Sequence, residues 1–528
     1  MKLENPDVII IGAGHNTLVA AAYLSACGLS VLVLEKNAYP GGGAVSREVT
    51  LPGYIHDTHA TSVIHLQGHP LLVNDELQLK SKFGLEFVYP ECFFTTLFSD
   101  RESISCYRDL DRSCAEIAKY SARDADAYRT LANFMGRLGP LISMCMSKPP
   151  ISFPGFMGFL QQSDRGHEMI RMMMRSAYDI VMERFEHPRV QMHFLNMAAG
   201  MSCSPEEKTT GMVFLYLLGA SHTFPAGAVV GGMQNLTRSL IRCIEHNGGE
   251  IRVNTEVTKV LNRSGRAHAV ELKDGSQISA KRAIVGAIHP YHLADMVEGL
   301  PQQIGADAKL GELSCFAGLM IHCALNEPPK WHVGTEPDNS LIVNMVDYSS
   351  LEDFRRGFDA LKYGELPQHF SGYTCCTTLF DKSRAPPDKH TLYFLISVPY
   401  ELKDGGAARW DEIKERHADW LIGRLGSYAS NMDANNIIAR FVESPLDMER
   451  HSPSFVRGDM VGLASFIYQF FGQRPTPALA QYRVPGAEGL YLAGPFMHPG
   501  GGLTGGGRPV AIRILEDLKI PYHSVITS

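Results

Sequence analysis

The sequence lacks the usual marks of metal, thiol and membrane chemistry. It has no CxxC, no HExxH and no HxH among its 21 histidines. Its 11 cysteines are odd in number and scattered, with one adjacent pair, Cys375–Cys376. That pattern argues against a disulfide scaffold and fits free thiols in a reducing compartment. No stretch approaches the roughly 18 uninterrupted apolar residues of a membrane-spanning helix. The nearest, Gly211 to Phe224, reads as a buried helix. The first apolar run is flanked by Lys2, Glu4 and Asp7 and is too short for a signal peptide. Basic blocks are missing and the net charge is −7, so a nucleic-acid footprint is not expected. With no GxSxG elbow and no SxxK with supporting partners, hydrolase chemistry is a poor reading.

What the chain does have is glycine in clusters. Of 528 residues, 49 are glycine and 30 proline, with 45% apolar and 20% charged residues. This describes a globular protein of two to four structural units, not a disordered chain, collagen or coiled coil. The clusters lie at 12–14, 41–43, 231–232, 500–502 and 505–507. Backbone-dominated loops of this kind cradle phosphate. The first follows a β-branched strand, Asp7 to Ile11, and opens a helix, His15 to Cys27. A second strand, Ser30 to Leu34, ends at Glu35. Gly12 permits the tight turn, Gly14 lets the backbone approach pyrophosphate with His15 and Asn16 at the helix start, and Glu35 accepts a ribose diol beside Lys36. Thr17 stands where the third fingerprint glycine would be, which should cost some closeness of helix–strand packing. A dinucleotide cofactor is the expected ligand.

Five segments then occur in order: EKNAYPGGGAVSRE from residue 35, PGYIHDTHATSVIHL from 52, GAVVGGMQNLTRSLIRCIEHNGGEIRVNTEVTKVL from 227, SPLDMER from 444, and GLYLAGPFMHPGGGLTGG from 489. Together they resemble the phytoene-desaturase-like flavoproteins of the amine oxidase superfamily, most strongly at both ends and around 225–290. The resemblance implies FAD as cofactor. It places Gly42, Gly43 and Ala44 along the pyrophosphate and ribityl chain, and the backbone of Val257 against the adenine. Gly494, Gly501, Gly502, Leu503 and Thr504 would pass the flavin, with the N-terminus of a last helix, Arg508 to Leu518, aimed at the ring. Two departures stand out. Gly43 takes the place of a frequent arginine, with Arg47 farther on, and Pro495 replaces an acidic residue that bonds the ribityl chain. The implied fold class is α/β: a discontinuous Rossmann-like FAD-binding domain of glutathione-reductase type (1–75, 226–300, 481–528) with an inserted α+β substrate domain (76–225, 301–480). The rival for Gly231–Gly232 is a separate NAD(P) site. No acid ends the strand Ile251 to Val253, which disfavours it.

Residues 141–200 are rich in Met and Phe, among them Met144, Phe156, Phe159 and Met172 to Met174. They read as helical core or as an apolar substrate tunnel, and 149–156 could form a membrane-grazing lip. Three residues are catalytic candidates. His498 lies inside the flavin loop, while Asp57 and His59 would share one face of a strand. For each, a structural hydrogen bond is the alternative. The expected activity is FAD-dependent hydride removal from a C–H bond of an apolar or aromatic small molecule, with oxygen or a quinone as electron acceptor. A reductase or isomerase on a similar substrate, or a non-catalytic flavin-binding interaction protein, are the alternatives. No metal and no nucleic acid are expected. The expected location is cytoplasmic, with peripheral membrane contact left open, and the oligomeric state is not legible.

Overall fold

The β-branched runs at 8–11 and 31–34 are wholly buried and form the centre of a five-stranded parallel sheet. The computed structural model describes residues 3–526. The strand order is Leu490–Leu492, Ala283–Gly286, Val8–Ile11, Val31–Leu34, Glu250–Arg252, so the sheet gathers strands from three separated stretches of chain. Apolar side chains on both faces of each strand require helices above and below. His15–Ala26 supplies one, packed between Gln234–His246 and the final helix Gly507–Asp517. The last contact needs glycine: a Cβ on Gly507 would lie 2.0 Å from the Asn16 carbonyl oxygen.

Thr17 corrects the expected loosening of the helix against the strand. Its hydroxyl donates to the carbonyls of Gly12 at 2.6 Å and Gly14 at 2.9 Å, so it ties the turn that a third glycine would only make room for.

An antiparallel three-stranded sheet follows, Val257–Arg263, Arg266–Leu272 and Gln277–Ser279. The rest of the chain builds a seven-stranded mixed sheet in the order Ile437–Glu443, Ala317–Leu325, His390–Val398, Ser371–Cys375, Ser340–Val346, Cys92–Phe98, Ser103–Tyr107. On one face, Val343, Met345, Phe394 and Ile396 pack on Trp410 and Leu421 of the helix Trp410–Leu425. Above the other face sits a helical layer that includes Pro188–Ala199 and the buried helix Gly211–Thr223. Among the described residues, no helix is long and apolar enough to cross a membrane.

Candidate active site

The first strand runs into Gly12, whose φ of +83° only glycine adopts without strain. Gly14 then starts the helix with no side-chain cap, leaving first-turn amides and the positive end of the helix dipole open. Gly14, His15, Asn16 and Thr17 all line a cavity of about 690 Å³. Asn16 Oδ1 is buried there without a hydrogen-bond partner. The second glycine loop closes on the first: Gly41 N donates to the Ala13 carbonyl at 2.8 Å, and a Cβ on Gly42 would lie 3.0 Å from the Gly14 Cα. Glu35 braces both ends of the turn, accepting from Ala13 N and from Asn37 N at 2.8 Å each. Each carboxylate oxygen keeps a second lone pair for a ligand hydroxyl. Glu35, Lys36, Gly42, Gly43 and Val257 line the same cavity.

The C-terminal loop forms the opposite wall. Gly494, Gly502 and Leu503 line the cavity, and the His15 imidazole reaches the Gly502 carbonyl at 3.3 Å, joining the two loops. Pro495 also lines it, in place of the expected acid. Its carbonyl is instead an anchor for Arg474, whose Nη2 donates to it at 2.8 Å. Arg474 is fully buried and further donates to the carbonyls of Leu463, Ala464 and Gln469. Arg47 does not reach the cavity; its guanidinium stacks on the Tyr39 ring, 4.5 Å from the centroid.

Three expected cofactor residues, Ala44, Gly501 and Thr504, do not line the cavity. Ala44 is core, its carbonyl accepting from Thr237 at 2.9 Å. Gly501 faces Val461, where an added Cβ would lie 2.5 Å from the valine Cβ. The Thr504 hydroxyl turns back to the Gly500 carbonyl at 3.2 Å. The remaining cradle fits an extended dinucleotide: an uncapped helix start, an orphaned buried amide oxygen, two touching glycine loops and an acid at the ribose end.

The catalytic candidates separate. The strand after the second glycine loop covers only His56–Asp57, so Asp57 and His59 do not share a face. Asp57 is buried away from the cavity and accepts from Ser46 at 2.6 Å, Met233 N at 2.8 Å and Arg384 at 2.5 Å. It holds the Gly231–Gly232 turn at the start of Gln234–His246, and that is a structural post. His498 is fully buried and turned to the Cys145 carbonyl at 3.1 Å, its pKa lowered by burial to about 4. It does not line the cavity either.

His59 alone of the three lines the cavity. Its Nδ1 meets the Thr58 hydroxyl at 3.0 Å and its Nε2 lies 3.5 Å from Glu443 Oε2. Burial, helped by His451 and Arg47, lowers the His59 pKa to about 3. Burial, helped by Asp447, raises that of Glu443 from 4.5 to about 7. The unfolded glutamate loses its proton first, so native stability falls as pH rises from about 4.5 to 7. His59 acts oppositely: its contribution is present above 6.5 and is lost as pH falls towards about 3. Glu443→Gln removes only the first loss. The variant is expected to gain up to about 3 kcal/mol over wild type above pH 7, and nothing below the window. Urea unfolding at the two ends of that range checks it; an equal gain at both ends would refute the raised pKa.

Beyond the cofactor cradle the cavity opens between the seven-stranded sheet and the helical layer. Ile342 and Asn344, Ser371 and Tyr373, and Tyr393, Leu395 and Ser397 alternate along three strands and face it. Phe94, Met197 and Leu217 complete the wall. Sequence reading missed this chamber. The alternation was visible, but nothing local says which face of each strand opens onto a cavity. Of the Met- and Phe-rich stretch 141–200, read as helical core or as a tunnel, Phe156, Met172 and Met173 are helical core, Met144, Phe159 and Met174 are exposed, and the C-terminal end with Asn196 and Met197 lines the cavity. The Cys375–Cys376 thiols are buried and pushed up to about 12 by that burial.

Residues 18–360 match the family described as flavin containing amine oxidoreductase. Pyridine nucleotide-disulfide oxidoreductase domain-containing protein 2 of Mus musculus is 28% identical, over 97% of this chain and 94% of its own. One of the limonene dehydrogenase polypeptides of Castellaniella defragrans is 26% identical, over 98% and 96%. A 4,4'-diapophytoene desaturase of Methylomonas sp is 24% identical, over 94% and 92%. Among solved structures, cyclohexylamine oxidase of Brevibacterium oxydans superposes with a TM-score of 0.59 at 16% identity, over 98% of this chain and 100% of that one. The chain belongs to the flavin containing amine oxidoreductase family, in its phytoene-desaturase-like branch, and is an FAD-dependent oxidoreductase.

Proposed function

We propose that the enzyme removes a hydride from a C–H bond of an apolar or aromatic small molecule held in the sheet-walled chamber. The observation that carries this is the continuity of that chamber, lined by Phe94, Leu217, Tyr373, Tyr393 and Leu395, with the glycine cradle at the other end of one cavity. Bound FAD supplies two-electron redox chemistry. The chain's own residues bind the cofactor, exclude water and orient the substrate carbon. The relatives named for limonene and a carotenoid precursor support an apolar substrate. Oxygen or a quinone is the acceptor in this reading. Exposed Met144, Ile151 and Phe159 support peripheral membrane contact.

Anaerobic mixing of the flavin-loaded protein with a panel of olefins, alcohols and alkylaromatics tests the reading. At least one member is expected to bleach the oxidised flavin absorption within a catalytic turnover time. No bleaching across the panel, with the flavin still reducible by dithionite, would overturn it.

A further inference from the structure

The substrate chamber carries polar groups that an all-hydrocarbon ligand would leave unmatched. Asn344 and Tyr373 are paired directly across neighbouring antiparallel strands. Gly372 pairs with Ile396, which sets Ser371 beside Ser397 in the adjoining row. All four face the cavity. Asn196, on the helix Pro188–Ala199, comes down over this row, and its Oδ1 accepts from the Ser371 hydroxyl. That contact orients the Asn196 amide and leaves its Nδ2 donors free. The Asn344 amide and the Ser397 hydroxyl bond no other described residue and open onto the cavity. Both asparagines are buried, at 7% and 9% exposure. Polar groups that open onto a largely apolar chamber lose their hydration when a hydrocarbon fills it, and a ligand atom that pairs with them avoids that cost.

The charge of that ligand group follows from what surrounds the patch. The acidic and lysine side chains that line the cavity, Glu35, Lys36 and Glu256, belong to the cofactor end. The row itself offers amides and hydroxyls, which donate and accept but carry no charge. A carboxylate, phosphate or ammonium would enter without a counter-charge and pay its full desolvation. A neutral hydroxyl or carbonyl would not.

We propose that Asn344 and Asn196, with Ser371 and Ser397, bind a neutral oxygen function, a hydroxyl or carbonyl, on an otherwise apolar substrate. This deepens the function proposed above and rests on the chamber being the substrate site. These residues set specificity: a pocket built to hydrogen-bond an oxygen discriminates against the analogue that lacks it far more than a purely apolar wall discriminates by size.

Calorimetric titration of the flavin-loaded protein with matched pairs tests this without turnover. The probes are limonene against carveol and carvone, and p-cymene against cuminyl alcohol and cuminaldehyde. The oxygenated member of at least one pair is expected to bind about tenfold or more tightly than its hydrocarbon. Asn344→Leu is expected to erase or invert that preference while retaining flavin. Should that variant not load flavin, Asn196→Leu and Ser397→Val provide the same comparison from other elements. Hydrocarbons binding as well as their oxygenated partners, or no oxygenated member binding at all, would overturn the proposal. So would a preference unchanged in variants that retain flavin. Ligands that bind in the expected order yet never bleach the flavin would instead overturn the C–H oxidation reading and leave this one standing.

Discussion

Gly14→Val is expected to leave the protein folded and to strip it of FAD. The backbone at Gly14 has φ −70° and ψ 158°, an extended conformation that valine adopts readily. A Cβ there would meet only the Thr17 hydroxyl, at 3.9 Å, so the apo fold has room for it. The room it takes is the space over the uncapped start of His15–Ala26, where pyrophosphate must approach the backbone. Affinity should fall by about 100-fold or more, ~2.7 kcal/mol. Flavin absorbance of the purified protein measures the loss, and circular dichroism checks the fold. Gly42→Val is a harsher control, because its φ of +59° and its contact with Gly14 strain the protein as well. A Gly14→Val protein that still purifies yellow would remove this loop from the cofactor site.

The second large effect belongs to Arg384, which lies outside the active-site wall. It is fully buried and donates to Asp57 at 2.5 Å, Asp381 at 2.9 Å and the Val229 carbonyl at 2.6 Å. Asp57 accepts from Met233 N and Asp381 from Gly231 N, so one guanidinium clamps both sides of the turn before Gln234–His246. Arg384→Met leaves two carboxylates buried without their counter-charge. The expected loss is about 3–5 kcal/mol, because breaking a buried pair strands the remaining charges. Urea unfolding of apo and flavin-loaded protein measures it. Adding Asp57→Leu should recover part of the loss, since the two substitutions share one network. A loss under ~1 kcal/mol for Arg384→Met would mean that water reaches the pair.

How much of the site could be read from the chain differs sharply between its two halves. The turn at Gly12–Gly14, the acid at Glu35 and the loop at Gly41–Gly43 are contiguous segments that line the cavity through their own local conformation. Their roles follow from local conformation, and the cavity includes Gly12, Gly14, Glu35, Gly42 and Gly43. Asp57 and His498 looked equally eligible, placed beside those loops in sequence. Their side chains are claimed by distant partners, Asp57 by Arg384 and His498 by the Cys145 carbonyl, and no local pattern reports such a claim. Thr17 fell between the two cases. Its hydroxyl bonds carbonyls only three and five residues away, but the gain depends on a rotamer that the residue type alone does not specify.

The chain's own pattern therefore determined the cofactor half of this protein. Buried β-branched runs specify the parallel strands, and glycines specify where backbone amides come close to phosphate. Both are short-range effects. The other half, the sheet-walled chamber, was decided only by tertiary structure. Ser340–Val346, Ser371–Cys375 and His390–Val398 alternate in the same way whichever face is inward. Register and a helix laid over one face select which of their side chains meet the cavity. The chamber, its aromatic wall and its uncharged polar row are products of long-range pairing, whereas a phosphate loop carries its chemistry in its own backbone.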